Sequence, residues 1–92
     1  MRFNPLNLSA GVNNRVASDS KFAKFVYRSV IRHFQRDWGD CCPEDNEQNN
    51  QALIDGSRLF SVYKYNDKEK IWVISESVPY RHITTVLFPQ EY

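Results

Sequence analysis

The sequence has little glycine or proline, two cysteines and no long apolar segment. Three Gly and four Pro among 92 residues exclude a collagen-like repeat or a low-complexity linker. No run of consecutive apolar residues approaches the ~20 that cross a bilayer, and residues 1–11 lack the apolar segment of a signal peptide. We therefore expect a soluble cytoplasmic protein without a membrane partner, folded as a single domain over residues 1–92.

Charge is distributed unevenly along the chain, although the formal net charge is only +1. Residues 1–36 carry seven basic side chains and one acidic side chain, whereas residues 37–57 carry six acidic side chains and no basic one. Two interpretations are open. The two segments form solvated faces that partly neutralise each other, or they form a bipolar surface suited to a partner with both nucleic acid and protein.

Hydrophobic periodicity predicts a long amphipathic helix over residues 19–36, with apolar side chains on one half of its circumference. The apolar set is Phe22, Ala23, Val26, Tyr27, Val30, Ile31 and Phe34, and the basic set is Lys21, Lys24, Arg28, Arg32 and Arg36. Residues 20–36 contain no acid, so we expect charge reversal at Arg28 and Arg32 to leave stability almost unchanged. The basic side chains form either a solvated face or a phosphate-binding surface.

Shorter elements flank this helix. Residues 6–10 alternate as an edge strand does, and residues 11–14 (Gly-Val-Asn-Asn) indicate a turn. Pro43 predicts the start of a second, acidic helix over residues 43–55, which Gly56 would end.

Three β-rich segments at residues 59–65, 71–75 and 83–88 predict a C-terminal β-meander. The predicted fold is α+β, with two helices packed on a three- to four-stranded antiparallel sheet. Phe22, Trp72, Ile74 and Val86 are the predicted core.

The residues that usually carry catalysis or metal binding form no recognisable motif. Four residues have the chemistry of zinc ligands: Cys41, Cys42, His33 and His82. Their spacing matches no zinc site, and nothing in the sequence pairs either thiol with an activating base. Acidic pairs such as Asp37/Asp40 and Glu44/Asp45 fit helix-end charges better than a divalent-cation site. We expect no enzyme activity, cofactor, metal or small-molecule substrate.

The C-terminal half contains a distinctive order of short motifs. It reads DWGD at 37–40, ED at 44–45, NN at 49–50, AL at 52–53, GSRL at 56–59, SVY at 61–63, IWVISE at 71–76, TTVL at 84–87 and PQEY at 89–92. This order resembles small plasmid- and phage-encoded proteins of unassigned function. The whole chain resembles the phage-borne anti-CRISPR proteins directed at type I-F systems, specifically the eighth type I-F family. Residues 37–92 carry the match, residues 1–36 match loosely, and residues 80–82 depart from the pattern.

The resemblance implies an inhibitor that binds the Csy surveillance complex and prevents target DNA from hybridising with the guide. Its partners would be Cas subunits and guide RNA in the cytoplasm of an infected bacterial cell, and the inhibitor would be a monomer. The candidate partner-binding residues are Asn13, Asn14, Lys21, Lys24, Arg28, Arg32, Arg36, Glu44, Asp45, Glu47, Tyr80 and Arg81. The alternatives are a small nucleic-acid-binding or regulatory protein of a mobile element and a Cys-dependent enzyme.

Overall fold

The computed structural model describes residues 6–81 and 83–92, and these residues form helices packed on a four-stranded sheet. The elements in chain order are β1 (Leu6–Leu8), α1 (Ala10–Ser18), α2 (Ser20–Phe34), α3 (Pro43–Asp55), β2 (Leu59–Lys64), β3 (Lys70–Ser75), β4 (Thr84–Leu87) and a 3-10 helix (Pro89–Glu91). The predicted α+β class is confirmed, as are the long basic helix, the acidic helix and the C-terminal meander.

Helix α1 stands where the sequence predicted a turn at residues 11–14, so that prediction is wrong. The hydroxyl of Ser9 accepts a hydrogen bond from the backbone N–H of Val12. The Glu91 carboxylate accepts bonds from the Ser9 hydroxyl at 2.5 Å and from the Gly11 N–H at 2.9 Å. A carboxylate stabilises the positive end of a helix. A contact 80 residues away in the chain thus outweighs the local turn signal.

The ends of α2 and α3 follow their local capping signals. The Asp19 carboxylate accepts hydrogen bonds from the N–H groups of the first turn of α2, and this helix ends two residues earlier than predicted. Arg36 then adopts a positive φ of 67°. Helix α3 begins with Pro43 and ends at Gly56, which has a φ of 82°. Its bounds are those that the sequence predicted.

The sheet is mixed, with strand order β1-β4-β3-β2. The pairs β2/β3 and β3/β4 are antiparallel, but β1 is parallel to β4, so the prediction of a wholly antiparallel sheet is wrong for β1. Ser9 follows β1 and Glu91 follows β4 within four residues. Since the two side chains are hydrogen-bonded, both strands must end at the same edge of the sheet, and they therefore run in the same direction.

The main core lies between α1 and α2 and one face of the sheet. Its buried members are Val12, Phe22, Val26, Val30, Tyr63, Ile71, Val73 and Val86. The prediction of Phe22 and Val86 as core residues is confirmed. Side chains alternate between faces along a strand, so Ile71 and Val73 point towards the helices. We call this the helical face of the sheet and the opposite one the outer face.

Trp72 and Ile74 alternate with these residues and therefore belong to the outer face. Ile74 is buried there, whereas Trp72 is only partly buried and contacts the rings of Phe60 and Tyr92. The prediction that Trp72 anchors the core is wrong. The alternation of side chains along β3 was predicted correctly. The sequence did not show which of the two alternating sets faces the helices.

The backbone of the edge strand β2 is covered. The Asn49 amide donates to the Phe60 carbonyl at 2.6 Å and accepts from the Phe60 N–H at 2.9 Å. The Val62 N–H donates to the Trp38 carbonyl, and the Val62 carbonyl accepts from the Asp40 N–H at 2.6 Å. Covering an edge strand removes a template for aggregation, and the Asn49 bonds attach α3 to the sheet.

We predict that Phe22→Ala destabilises the protein more than Trp72→Ala does. Phe22 is fully buried and contacts three other aromatic rings, so its truncation should cost about 3–5 kcal/mol. Trp72 leaves a smaller cavity because part of its ring is already in contact with solvent. Urea unfolding followed by circular dichroism measures both values. A larger loss for Trp72→Ala would contradict this assignment of the core.

Candidate partner-binding surface

His33 connects α2 to the strands of the meander. Its Nδ1 lies 2.6 Å from the Ser61 hydroxyl of β2, and its Nε2 lies 2.8 Å from the Ser75 hydroxyl of β3. The Ser75 hydroxyl is in turn 2.8 Å from that of Thr84 in β4. All four side chains are buried, and a fully bonded buried network favours one specific packing.

This network fixes the rotation of α2 about its axis. The buried side chains of the helix are Phe22, Val26, Ser29, Val30 and His33. Tyr27, Ile31 and Phe34 are 69%, 38% and 51% exposed. The sequence had assigned these three to the buried side, and that assignment is wrong. Their spacing of four and three residues makes them neighbours along the helix surface.

Two cations adjoin this apolar stripe. Lys24 precedes Tyr27 by three residues, and Arg28 precedes Ile31 by three, so both are neighbours of the stripe on the helix surface. Both are exposed. The ion pairs found among residues 6–81 and 83–92 involve Arg15 and Arg32, which leaves Lys24 and Arg28 with their charges uncompensated there. We call Lys24, Tyr27, Arg28, Ile31 and Phe34 the α2 outer face.

The other predicted basic residues differ in their surroundings. Lys21 is exposed in the first turn, and Arg36 is exposed beyond the helix end. Arg32 donates two hydrogen bonds to Asp37, at 2.7 and 3.1 Å, and its guanidinium lies 4.9 Å from the Tyr63 ring centroid. The Arg32 guanidinium lowers the pKa of Asp37. Arg32 therefore has an acidic partner just beyond its helix. Reversing its charge would break this ion pair, so the sequence-based expectation of unchanged stability does not hold for Arg32.

The predicted acidic residues lie in the first turns of α3. Glu44 and Glu47 are exposed and Asp45 is partly buried. Glu44 and Asp45 occupy the positive end of the helix dipole, where carboxylates are stabilising. Glu47 has no such role, and α3 contains no basic residue. All the charged side chains of this helix are therefore negative.

The remaining predicted residues are spread over the fold. Asn13 and Asn14 are exposed on α1, and Asn14 lines a cleft together with Lys68 and Lys70. Tyr80 is 60% exposed. Arg81 donates hydrogen bonds to the carbonyls of Glu76, Ala52 and Ser57. These bonds hold the loop of Arg81 against the end of α3, so several N–H donors of its guanidinium are already used within the fold.

The described residues offer little support for chemistry at the cysteines. Burial raises the pKa of the Cys41 thiol to about 11, so this thiol is protonated and weakly nucleophilic at neutral pH. Both nitrogens of His33 are bonded to hydroxyl groups rather than to a thiol. Within residues 6–81 and 83–92, no group of three His, Cys, Asp or Glu is placed to hold a metal ion. His82 lies outside the described residues.

The apolar stripe of α2 was missed although the sequence contains a signal for it. Apolar residues cover about half of the helix circumference, whereas a stripe of roughly 100° is enough to pack a helix on a core. The surplus residues must face solvent or a partner. Ser29 and His33 belong to the buried stripe, and their polarity concealed its position.

We predict that protein stability falls between pH 6.5 and pH 5 because of His33. Burial, and secondarily the charge of Arg81, lowers the pKa of His33 to about 4. The unfolded chain, with a His pKa near 6.5, binds more protons in this range than the folded chain, so acid favours unfolding. The loss from His33 should reach about 2 kcal/mol at pH 5.

Urea unfolding at several pH values measures this slope. His33→Gln should flatten it, and His82→Gln assigns any contribution of the second histidine. An unchanged slope in His33→Gln would contradict the predicted origin. Carboxylates such as Asp37, whose pKa is lowered in the fold, lose their contribution mainly below this range because they titrate near pH 4 when unfolded.

None of the helices in the described part of the chain is long and apolar enough to span a membrane. Comparison of the chain with protein-family models, curated proteins and solved structures finds no match.

Proposed function

We propose that the protein is an anti-CRISPR inhibitor that binds the type I-F Csy surveillance complex and blocks hybridisation of target DNA. It acts in the cytoplasm of the infected bacterial cell by binding, without catalysis. The sequence resemblance suggests this function. The observation that carries the proposal is the α2 outer face, where exposed apolar side chains adjoin uncompensated cations.

The chemistry of this face suits a ribonucleoprotein better than bare nucleic acid. Lys24 and Arg28 attract guide-RNA phosphates or acidic protein groups. Tyr27, Ile31 and Phe34 need an apolar counterpart, which a protein surface supplies. Exposed aromatic residues and Arg are the types that most often dominate binding energy at protein interfaces.

The acidic side of α3 supplies the second half of the proposed interaction. Glu44 and Glu47 are exposed on a helix without basic residues. A DNA-binding complex must present cationic surfaces along the path of its target. A negative helix docked there competes with DNA for the same cations, which is how binding leads to inhibition.

We predict that Lys24→Glu/Arg28→Glu leaves the protein folded but weakens binding to the purified Csy complex roughly ten-fold to several-hundred-fold. Each reversal removes an attraction and adds a repulsion at a partly desolvated contact. Competition binding at fixed salt measures the affinity, and thermal melting verifies the fold. The matched control is Lys64→Glu/Lys70→Glu, which reverses two exposed cations on a different face. An equal loss of affinity in both double variants would mean that overall charge, and not the α2 outer face, determines binding, and it would contradict the prediction.

We predict separately that Tyr27→Ala/Phe34→Ala weakens Csy binding at least about ten-fold. Both side chains are more than half exposed, so their truncation should change the free energy of unfolding by less than ~1 kcal/mol. The same competition assay and urea unfolding measure the two effects. Unchanged affinity would mean that the apolar stripe is not part of the interface.

Binding to bare nucleic acid tests the alternative function in a mobile element. The proposal expects weak, salt-sensitive binding to free DNA or RNA and much tighter binding to the complex. Equally tight binding to free nucleic acid that is lost in Lys24→Glu/Arg28→Glu would favour the alternative instead.

A further inference from the structure

The outer face of the sheet contains a second surface with ligand-binding character. A cleft of about 410 Å³ opens between α3 and strands β2 and β3. Phe60 and Trp72 line it in edge-to-face contact, with ring centroids 5.1 Å apart, and the Trp72 and Tyr92 centroids are 5.5 Å apart. Ile74, which is buried, adds an apolar side chain to the lining.

Polar groups with opposite hydrogen-bonding character line the same cleft. Arg58 donates one hydrogen bond to the Tyr92 hydroxyl at 3.0 Å, and this is one of the five N–H donors of its guanidinium. Asp45 and Gln48 contribute a carboxylate and an amide from α3. The Asn49 amide also lines the cleft, but its two bonds to Phe60 already occupy it.

We propose that this cleft binds an unpaired nucleobase. A planar heterocycle stacks on aromatic rings and presents donors and acceptors along its edge. The ring edge would meet Asp45 and Gln48, and Arg58 would meet the attached phosphate.

Other ligand classes fit this lining less well. A cationic side chain would be repelled by Arg58, and an inorganic anion would leave the aromatic rings of the cleft without a stacking partner. A purely apolar segment would bury both charges without partners, which is unfavourable. The cleft is on the opposite side of the sheet from α2, so this inference does not depend on the proposed function.

Direct binding of a fluorescein-labelled single-stranded RNA octamer tests the inference, with fluorescence anisotropy at fixed salt as the readout. We expect the single strand to bind and the corresponding duplex to compete poorly, because paired bases cannot enter the cleft. Arg58→Gln and Tyr92→Leu should each weaken binding roughly ten-fold, because the first removes a charged contact to phosphate and the second removes a stacking contact. Both residues are exposed, so the variants should stay folded.

Two controls separate the cleft from general surface effects. Lys64→Gln removes one exposed cation from the other end of β2, and Tyr80→Leu removes another exposed tyrosine, and neither residue lines the cleft. Both controls should keep wild-type affinity. Adenosine monophosphate as competitor distinguishes the sources of the base: displacement of the octamer assigns the site to free nucleotides as well, and no displacement assigns it to strands.

The inference is overturned if the octamer does not bind, or if Arg58→Gln and Tyr92→Leu bind it as tightly as the wild type. It is also overturned if the controls weaken binding equally. None of these results bears on Csy binding through Lys24 and Arg28, so failure here and failure of the proposed function are distinguishable.

Discussion

The hydrogen bonds of His33 determine how α2 lies on the sheet. His33 is buried, and its two ring nitrogens are satisfied by Ser61 and Ser75. Any rotation of the helix that buried Tyr27 and Phe34 would withdraw His33 from these hydroxyls and leave buried polar groups unpaired, which costs about 1–3 kcal/mol for each group. The polar network therefore keeps an apolar stripe at the surface. An exposed stripe of this kind is a common feature of interaction sites.

Ion pairing within the fold then determines which cations remain available. Arg15 is held by Glu69 and Asp19, and Arg32 is held by Asp37. Lys24 and Arg28 lie on the solvent side of α2, whereas the acids of α3 belong to a helix that is attached to the edge strand β2 through Asn49. Ion pairs inside the molecule thus cancel part of the charge segregation seen along the sequence. The exposed cations of α2 and the exposed acids of α3 remain, and they lie on two separate helices.

Local signals in the sequence predicted much of the fold but less of the candidate surfaces. The start of α3 at Pro43 and its end at Gly56 depend on residues within the helix and its caps, and they were predicted correctly. Helix α1 and the direction of β1 depend on Glu91, which is distant in sequence, so no local pattern contained them.

The rotation of α2 and the cleft on the outer face of the sheet were also missed, because both depend on contacts between elements that are distant in sequence. The buried stripe of α2 includes Ser29 and His33, and these polar residues have a place there because of a hydrogen-bond network with the strands. The cleft requires the pairing of β2 with β3 and the contact of Tyr92 with Trp72.

Hydroxyl-radical footprinting of the protein, both free and bound to the purified Csy complex, tests most directly whether the α2 outer face is the docking surface. We expect Tyr27 and Phe34 to be oxidised in the free protein and protected in the complex, with buried Tyr63 unreactive in both. Equal oxidation of Tyr27 and Phe34 in the two states would contradict it.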